Sequence, residues 1–201
     1  MNNNNKNLPT ITIAVMSVVL LALGYFLFKG PPQNLSQNTT KSDSANSLIG
    51  KPVPDIQLLD KDGKIHTVAD FKGKNTVLFF NEGLMCYPAC WNQIASFGSD
   101  ERFNSDQVQV ISVVVDSASD WQRAIAQMPE LAKATTLFDV GANASRRLGI
   151  LTMASSMHKG SLPGHTYIVL DKDAIVRYVF DDPNMAIAND MLFGKIEELS
   201  K

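Results

Sequence analysis

The chain has no long basic cluster. Its formal net charge is −2 over 201 residues, so nucleic-acid binding has no electrostatic support. No internal repeat is visible, so the fold is not a repeat array. Apolar residues are almost missing from Gly30–Ser47 (GPPQNLSQNTTKSDSANS), and a stretch that poor in them cannot bury enough surface to order itself. Charge is missing altogether from Ile11–Phe28 (ITIAVMSVVLLALGYFLF). Cysteine is scarce: Cys86 and Cys90 are the only two, so any thiol chemistry belongs to one short window.

The uncharged run sets the domain organisation. Its 18 residues at about 1.5 Å each would span roughly 27 Å, close to the hydrocarbon thickness of a bilayer. It is long for the core of a signal peptide, and no clear small-x-small cleavage site follows it. The expectation is a polar tail over 1–10, an uncleaved single-span membrane anchor over 11–28, a disordered tether over 29–48 and a folded domain over 49–201. Dithiol and disulfide chemistry is more natural outside the cytoplasm. The expected location is therefore the cell membrane, with the domain on the extracytoplasmic side.

From Leu48 onward the pattern is that of a packed domain. Ile56–Leu59 and Ile65–Val68 flank Asp60-Lys61-Asp62-Gly63, a hairpin signal. Thr76–Phe80 and Val108–Asp116 read as fully buried strands, and Thr135–Phe138 as a short one. Cys90–Phe97, Ala118–Met128 and Ala142–Leu148 read as helices. Thr166–Leu170 and Ile175–Phe180 form a second hairpin across Asp171-Lys172-Asp173, and Met185–Leu199 is an amphipathic closing helix. The predicted fold class is α/β: a sandwich with a central mixed sheet, an N-terminal β-hairpin and helices on both faces.

Within that frame, Val77–Gln93 (VLFFNEGLMCYPACWNQ) concentrates the chemistry. A buried strand breaks at Asn81-Glu82-Gly83 and delivers Cys86, Pro88 and Cys90 to the start of a helix. Open α/β sheets place their sites at the carboxyl ends of strands. Pro88 suits a first helical turn, where its missing N–H costs nothing. Unpaired amides there favour a thiolate at Cys86. Sulfurs four positions apart lie within disulfide range if the turn is loosened, with Cα atoms roughly 6 Å apart. Three readings stay open: a structural pair, a redox-active dithiol, and a soft-metal site with copper as the candidate.

Several segments in order resemble the AhpC/TSA branch of peroxiredoxin-like redoxins, which have a thioredoxin fold. They are GKPVPDIQLLDKDGKIHTVADFKGKNTVLFF, VISVVVDS, LFDVGANASRRLGI and PGHTYIVLDKDAIVRYVF. The resemblance implies that Cys86 is the reactive cysteine and that Cys90 closes a disulfide with it. It implies that a cis-proline loop, here Pro163, Gly164, His165 and Thr166, faces Cys86. The family string Pro-x-x-x-Thr-x-x-Cys is absent, and His165 stands where the family's usual arginine precedes the late strand.

The expected mechanism is that Cys86, as thiolate, attacks a peroxide oxygen or a protein disulfide, and that Cys90 then expels the product. An external, thioredoxin-like dithiol would reduce the bridge, and no cofactor is required. His165 would lower the Cys86 pKa when protonated or shuttle a proton, and Glu82 would relay protons beside the thiols. Trp91 reads as packing. The competing class resembles Sco-type copper assembly proteins, with Cys86, Cys90 and His165 as ligands and Met153, Met157 and His158 as further soft donors. A third class is a tethered redoxin module that only binds partners.

Overall fold

The computed structural model describes residues 45–199. The expected tail, the anchor over 11–28 and most of the tether lie outside these residues. Among the described residues no helix is long and apolar enough to cross a membrane.

Seven strands form one sheet: β1 (Gln57–Leu59), β2 (Ile65–Thr67), β3 (Asn75–Asn81), β4 (Val108–Val114), β5 (Thr136–Phe138), β6 (Thr166–Leu170) and β7 (Val176–Asp181), in the order β2-β1-β5-β4-β3-β6-β7. β3, β4 and β5 run parallel, whereas β6 is antiparallel to β3 and β7 to β6. The expected N-terminal hairpin is present, and β1 extends the sheet by pairing antiparallel with β5. Among the described residues four α-helices complete the fold: α1 (Ala89–Ser99), α2 (Ala118–Gln127), α3 (Asn143–Arg147) and α4 (Asn189–Glu198).

β3 is buried along its whole length, which is why its sequence reads as a continuous apolar run and not as an alternation. Successive side chains still point to opposite faces. Val77 and Phe79 join Ile94 and Phe97 of α1, Trp121 of α2 and Leu192 and Ile196 of α4 in one core. Leu78 and Phe80 join Phe71, Leu137, Leu148 and Ile168 in a second core on the other face, under α3. The expected two-faced sandwich is therefore observed, with the heavier helical layer on the face that carries the cysteines.

Three boundaries differ from expectation for identifiable reasons. Order begins before residue 49: Ala45–Leu48 makes a 3-10 turn, and Ala45 is fully buried in the second core. The strand from Val108 stops at Val114, because Asp116 turns to receive the Leu84 amide. The closing helix starts at Asn189 and not at Met185. The Asp182 carboxylate accepts the amides of Asn184 and Ala186, both at 2.9 Å, which fixes that stretch as a turn.

Gly98 lies inside α1, where glycine ordinarily costs up to about 1 kcal/mol relative to alanine. A Cβ there would sit 2.8 Å from the Ala134 amide nitrogen and 3.0 Å from the Lys133 carbonyl carbon. Backbone cannot yield cheaply, so the usual sign reverses. Gly98→Ala should destabilise the domain by about 1–3 kcal/mol in denaturant melts; a raised midpoint would show that α1 is not pressed against the Pro129–Lys133 turn.

Candidate active site

The carboxyl end of β3 is tied down before it reaches the cysteines. Asn81 Oδ1 accepts the Gly83 amide at 2.9 Å, and Asn81 Nδ2 donates to Val113 O at 3.3 Å. A 3-10 turn, Gly83–Cys86, follows. Asp116 Oδ2 accepts the Leu84 amide at 2.9 Å, and Trp91 Nε1 donates to Gly83 O at 3.1 Å. The Trp91 side chain therefore braces the turn from inside, in line with its packing role. Burial pushes the Asp116 carboxyl pKa up, against the Leu84 hydrogen bond. Pro88 caps α1 after a cis Tyr87–Pro88 bond, and Cys90 is the second residue of that helix.

Cys86 and Cys90 form a disulfide with their Cα atoms 5.4 Å apart. Exposure is only 3% at Cys86 and 0% at Cys90. The Met185 sulfur lies 3.9 Å from Cys86 Sγ. His165 Nδ1 lies 3.4 Å from Cys90 Sγ. The ring is fully buried and meets Phe79 edge-on at 4.6 Å. Its backbone oxygen accepts the Asp182 amide at 2.9 Å.

Behind His165 runs a chain of buried polar groups. His165 Nε2 is 2.6 Å from Tyr167 Oη, and that hydroxyl donates to Gln93 Oε1 at 3.1 Å. Gln93 Oε1 also accepts the Ala188 amide at 2.7 Å, while Gln93 Nε2 donates to Asn189 Oδ1 at 2.8 Å. Asn189 Nδ2 donates to Asp100 Oδ2 at 2.9 Å. Asp100 closes the chain at the surface in a bidentate pair with Arg102. The Arg102 guanidinium holds the Asp100 carboxyl down at about 2. Burial lowers the His165 pKa to about 4, with Asp182, Asp181 and a hydrogen bond to the Ala186 backbone pulling the other way. Burial likewise raises the Tyr167 hydroxyl above its ordinary range.

Several expected site residues fall elsewhere. His165 is the exception: its Nδ1 sits against Cys90 Sγ and within 4.8 Å of Cys86 Sγ, near the cysteines as expected, and burial lowers its pKa so that the ring is neutral at physiological pH. Glu82 is not beside the thiols: its buried carboxylate accepts the amides of Met157 at 2.8 Å and His158 at 3.2 Å and pairs with His158 Nδ1 at 2.9 Å. It fastens the loop before β6 to the end of β3. His158 is thereby engaged, Met157 is exposed, and Met153 packs on the second core, so none of the three joins the cysteines. Thr166 Oγ1 donates to Asp181 at 2.9 Å. Pro163 is buried but its peptide bond is trans. The close approach of that loop comes instead from Gly164, where any Cβ would collide with Ser155 and Ser156.

Met185, Tyr167, Gln93 and Asn189 are site residues that the sequence reading missed. Two were within reach of it. Tyr167 follows His165 by two in a strand, which puts both on one face. Gln93 follows Cys90 by three on a helix, which does the same. Met185 carried no such signal, because its turn was read as helix, and neither did Asn189, whose helix is distant in sequence from the cysteines.

One cluster could also hold a metal ion. The ligand atoms of Cys86, Cys90 and His165 lie within 4.8 Å of one another. Soft sulfur with imidazole suits copper once the disulfide is reduced.

A family model described as the AhpC/TSA family matches residues 49–179. Chloroplastic peroxiredoxin Q of Triticum aestivum is 32% identical over 139 residues, 66% of this chain and 58% of that protein. The corresponding protein of Sedum lineare is 31% identical over 161 residues, 77% of this chain and 78% of that protein. The match thus spans little more than half of the wheat relative. Among solved structures, a yeast mitochondrial 1-Cys peroxiredoxin superposes with a TM-score of 0.63 at 17% identity, covering 76% of each chain. Mycobacterium tuberculosis AhpC gives 0.62 at 19% identity, covering 76% of this chain and 93% of that one. At such identities the likeness is one of fold: a thioredoxin-like peroxiredoxin sheet.

The buried histidine makes stability depend on pH. Unfolded, His165 would titrate near 6.5; folded, it titrates near 4. Between these values the unfolded state binds the extra proton, so stability is complete above about pH 6.5 and falls as pH drops toward 4. The span corresponds to a loss on the order of 3 kcal/mol. Denaturant melts of His165→Asn against the parent chain from pH 7 to 4 should show the variant's stability changing less; parallel curves would show that the ring is solvated.

Proposed function

The chain belongs to the AhpC/TSA family, and from that premise we propose that it is a thiol-dependent oxidoreductase of the peroxiredoxin type, cycling between a Cys86/Cys90 dithiol and the intramolecular disulfide. The observation that carries this reading is the bridge itself, set at the carboxyl end of β3 with a histidine nitrogen 3.4 Å from Cys90 Sγ. In the oxidative half of the cycle, Cys86 thiolate attacks a peroxide oxygen, the O–O bond breaks, the other oxygen takes a proton and leaves as water or an alcohol, and Cys86 becomes a sulfenic acid. Cys90 attacks that sulfur and water leaves. An external dithiol then takes the bridge apart by thiol–disulfide exchange.

The oxidant can also be a protein disulfide. Counted back from Cys86, the proline and threonine of the family string fall on Phe79 and Gly83, which offer a peroxide no hydroxyl. Large apolar side chains are exposed around the site in sequence and contact: Met85 and Tyr87 flank Cys86, Ile187 follows Met185, and Met157 sits on the loop held by Glu82. Tyr87 is propped edge-on against Trp91 at 4.9 Å. A small peroxide has no use for such a rim, whereas a protein dithiol or disulfide does. The rim supports protein partners on at least one half of the cycle.

A second reading is favoured by the close cluster of three ligand atoms: copper held by Cys86, Cys90 and His165 in the reduced chain, with Met185 beside Cys86 as a further soft donor. Stopped-flow peroxide reduction run beside insulin-disulfide reduction separates the classes. We expect turnover of at least one substrate, its loss in Cys86→Ser, and a trapped sulfenic acid or mixed disulfide at Cys86 in Cys90→Ser. If neither substrate turns over while Cu(I) binds the parent chain and not the double Cys→Ser variant, the copper reading replaces this one.

The membrane anchor over 11–28 and a tether that ends before Ala45 remain part of the proposal, supported by the uncharged run and its length. They would hold the redox domain on the extracytoplasmic face. Thiol labelling of intact cells after mild reduction should modify Cys86; a Cys86 reachable only after lysis would place the domain inside.

A further inference from the structure

The polar chain behind His165 determines more than its position, because one end of it is unambiguous. The Ala188 backbone N–H can only donate, so the Gln93 atom that receives it at 2.7 Å is the amide oxygen. The Gln93 nitrogen therefore donates to Asn189 Oδ1, and the Asn189 nitrogen donates to Asp100 and to Ser96 O at 3.4 Å. The same Gln93 oxygen lies 3.1 Å from Tyr167 Oη and has no hydrogen to offer. Tyr167 must supply the proton of that contact. Its oxygen is then an acceptor toward His165 Nε2 at 2.6 Å. A neutral imidazole carries one proton. The Ala186 backbone also accepts from the ring; with Nε2–H given to Tyr167 at the shorter contact, Nδ1 keeps its lone pair, and Nδ1 is the atom facing Cys90 Sγ.

We propose that Gln93, acting through Tyr167, locks His165 in the Nε2–H tautomer, so that His165 Nδ1 is the base for Cys90 and not for Cys86. Gln93 and Tyr167 are positioning residues, and His165 is the group that touches the reacting thiol. When the pair is reduced, the Cys90 S–H points its proton at Nδ1. Cys90 passes that proton to Nδ1 as its sulfur attacks the Cys86 sulfenic acid. The S–S bond forms, the S–O bond breaks, and the departing hydroxyl takes the proton back from the imidazolium and leaves as water. The pair is oxidised from thiol plus sulfenic acid to disulfide with no further co-reactant. Division of labour follows: Cys86, beside Met185, meets the oxidant, and Cys90 is the base-assisted resolving thiol. This assignment rests on the peroxidase-type cycle proposed above.

Only His66, His158 and His165 are present, so selective 15N-histidine labelling of the full chain resolves each ring. The parent chain should show His165 Nδ1 unprotonated and Nε2 protonated. Gln93→Leu removes the acceptor, frees Tyr167 to donate to Nε2, and should move the proton to Nδ1. The rate at which Cys90 resolves the Cys86 sulfenic acid should then fall by about tenfold to a hundredfold, within the range of lost acid–base assistance. Gln93→Glu, which keeps an acceptor toward both donors, should restore tautomer and rate together. Tyr167→Phe, which deletes the acceptor for Nε2–H, should reproduce the Gln93→Leu tautomer change if that variant folds poorly. A proton on Nδ1 in the parent chain overturns the assignment, as does an unchanged tautomer and rate in both Gln93→Leu and Tyr167→Phe. Sulfenic acid trapping at Cys86 in Cys90→Ser does not involve His165; its failure would remove the peroxidase cycle while leaving the tautomer result standing.

Discussion

Phe79 lies opposite Tyr167 and Phe80 opposite Thr166 in the antiparallel pairing of β3 with β6, and that register decides where the chemistry falls. It sets His165 one residue beyond the end of the pairing, over the place where the β3 turn delivers Cys90. A slip by one residue would flip every β6 side chain to the other face. Tyr167 would then leave the first core, and the histidine would lose its hydrogen bond to the hydroxyl. The aromatic stack guards the register: Phe79 and Tyr167 lie parallel at 4.6 Å, and Tyr167 stacks on Phe180 of β7 at 6.0 Å.

The same register commits the protein to a buried polar chain. An unpaired buried donor or acceptor costs about 1–3 kcal/mol, so such a chain is sustainable only if every member is satisfied. Here it is closed link by link from His165 to the surface pair of Asp100 and Arg102. The buried side-chain polar atoms without partners among the described residues, on Ser112, Trp121 and Thr136, lie outside it. A complete network around an almost fully buried disulfide makes the site rigid on one side. The other side is the exposed apolar rim at Met85, Tyr87 and Ile187. The proposed cycle would use that rim for the partner and the polar chain for the proton.

Much of this was legible in the sequence, for physical reasons that differ from element to element. β3, β4 and β6 announce themselves because strands buried on both faces are apolar over most of their length. The hairpin before them is marked by its Asp-Gly turn, and the cysteine pair by position after a strand and before a helix. The closing helix was overextended because Met185-Ala186-Ile187-Ala188 has ordinary helical composition; the Asp182 carboxylate captures the amides of Asn184 and Ala186, and composition does not register that. Charge type alone suggested proton work near Cys86 for both Glu82 and His165; only His165 lies against the cysteine pair, while Glu82 fastens a loop. Which sulfur a histidine touches, and which loop a glutamate fastens, depends on packing between segments about 75 residues apart, beyond the reach of any local pattern.

Everything proposed for the site requires that the two sulfurs gain and lose electrons as a unit. The most direct measurement is a redox titration of the full chain against glutathione, with Cys86 and Cys90 read by alkylation and intact mass at each poise. The account predicts one reversible two-electron transition, with a mass difference of two hydrogens inside a single chain and no singly alkylated species accumulating. Independent alkylation of the two thiols, linkage between chains, or a bridge that no physiological poise opens would contradict it.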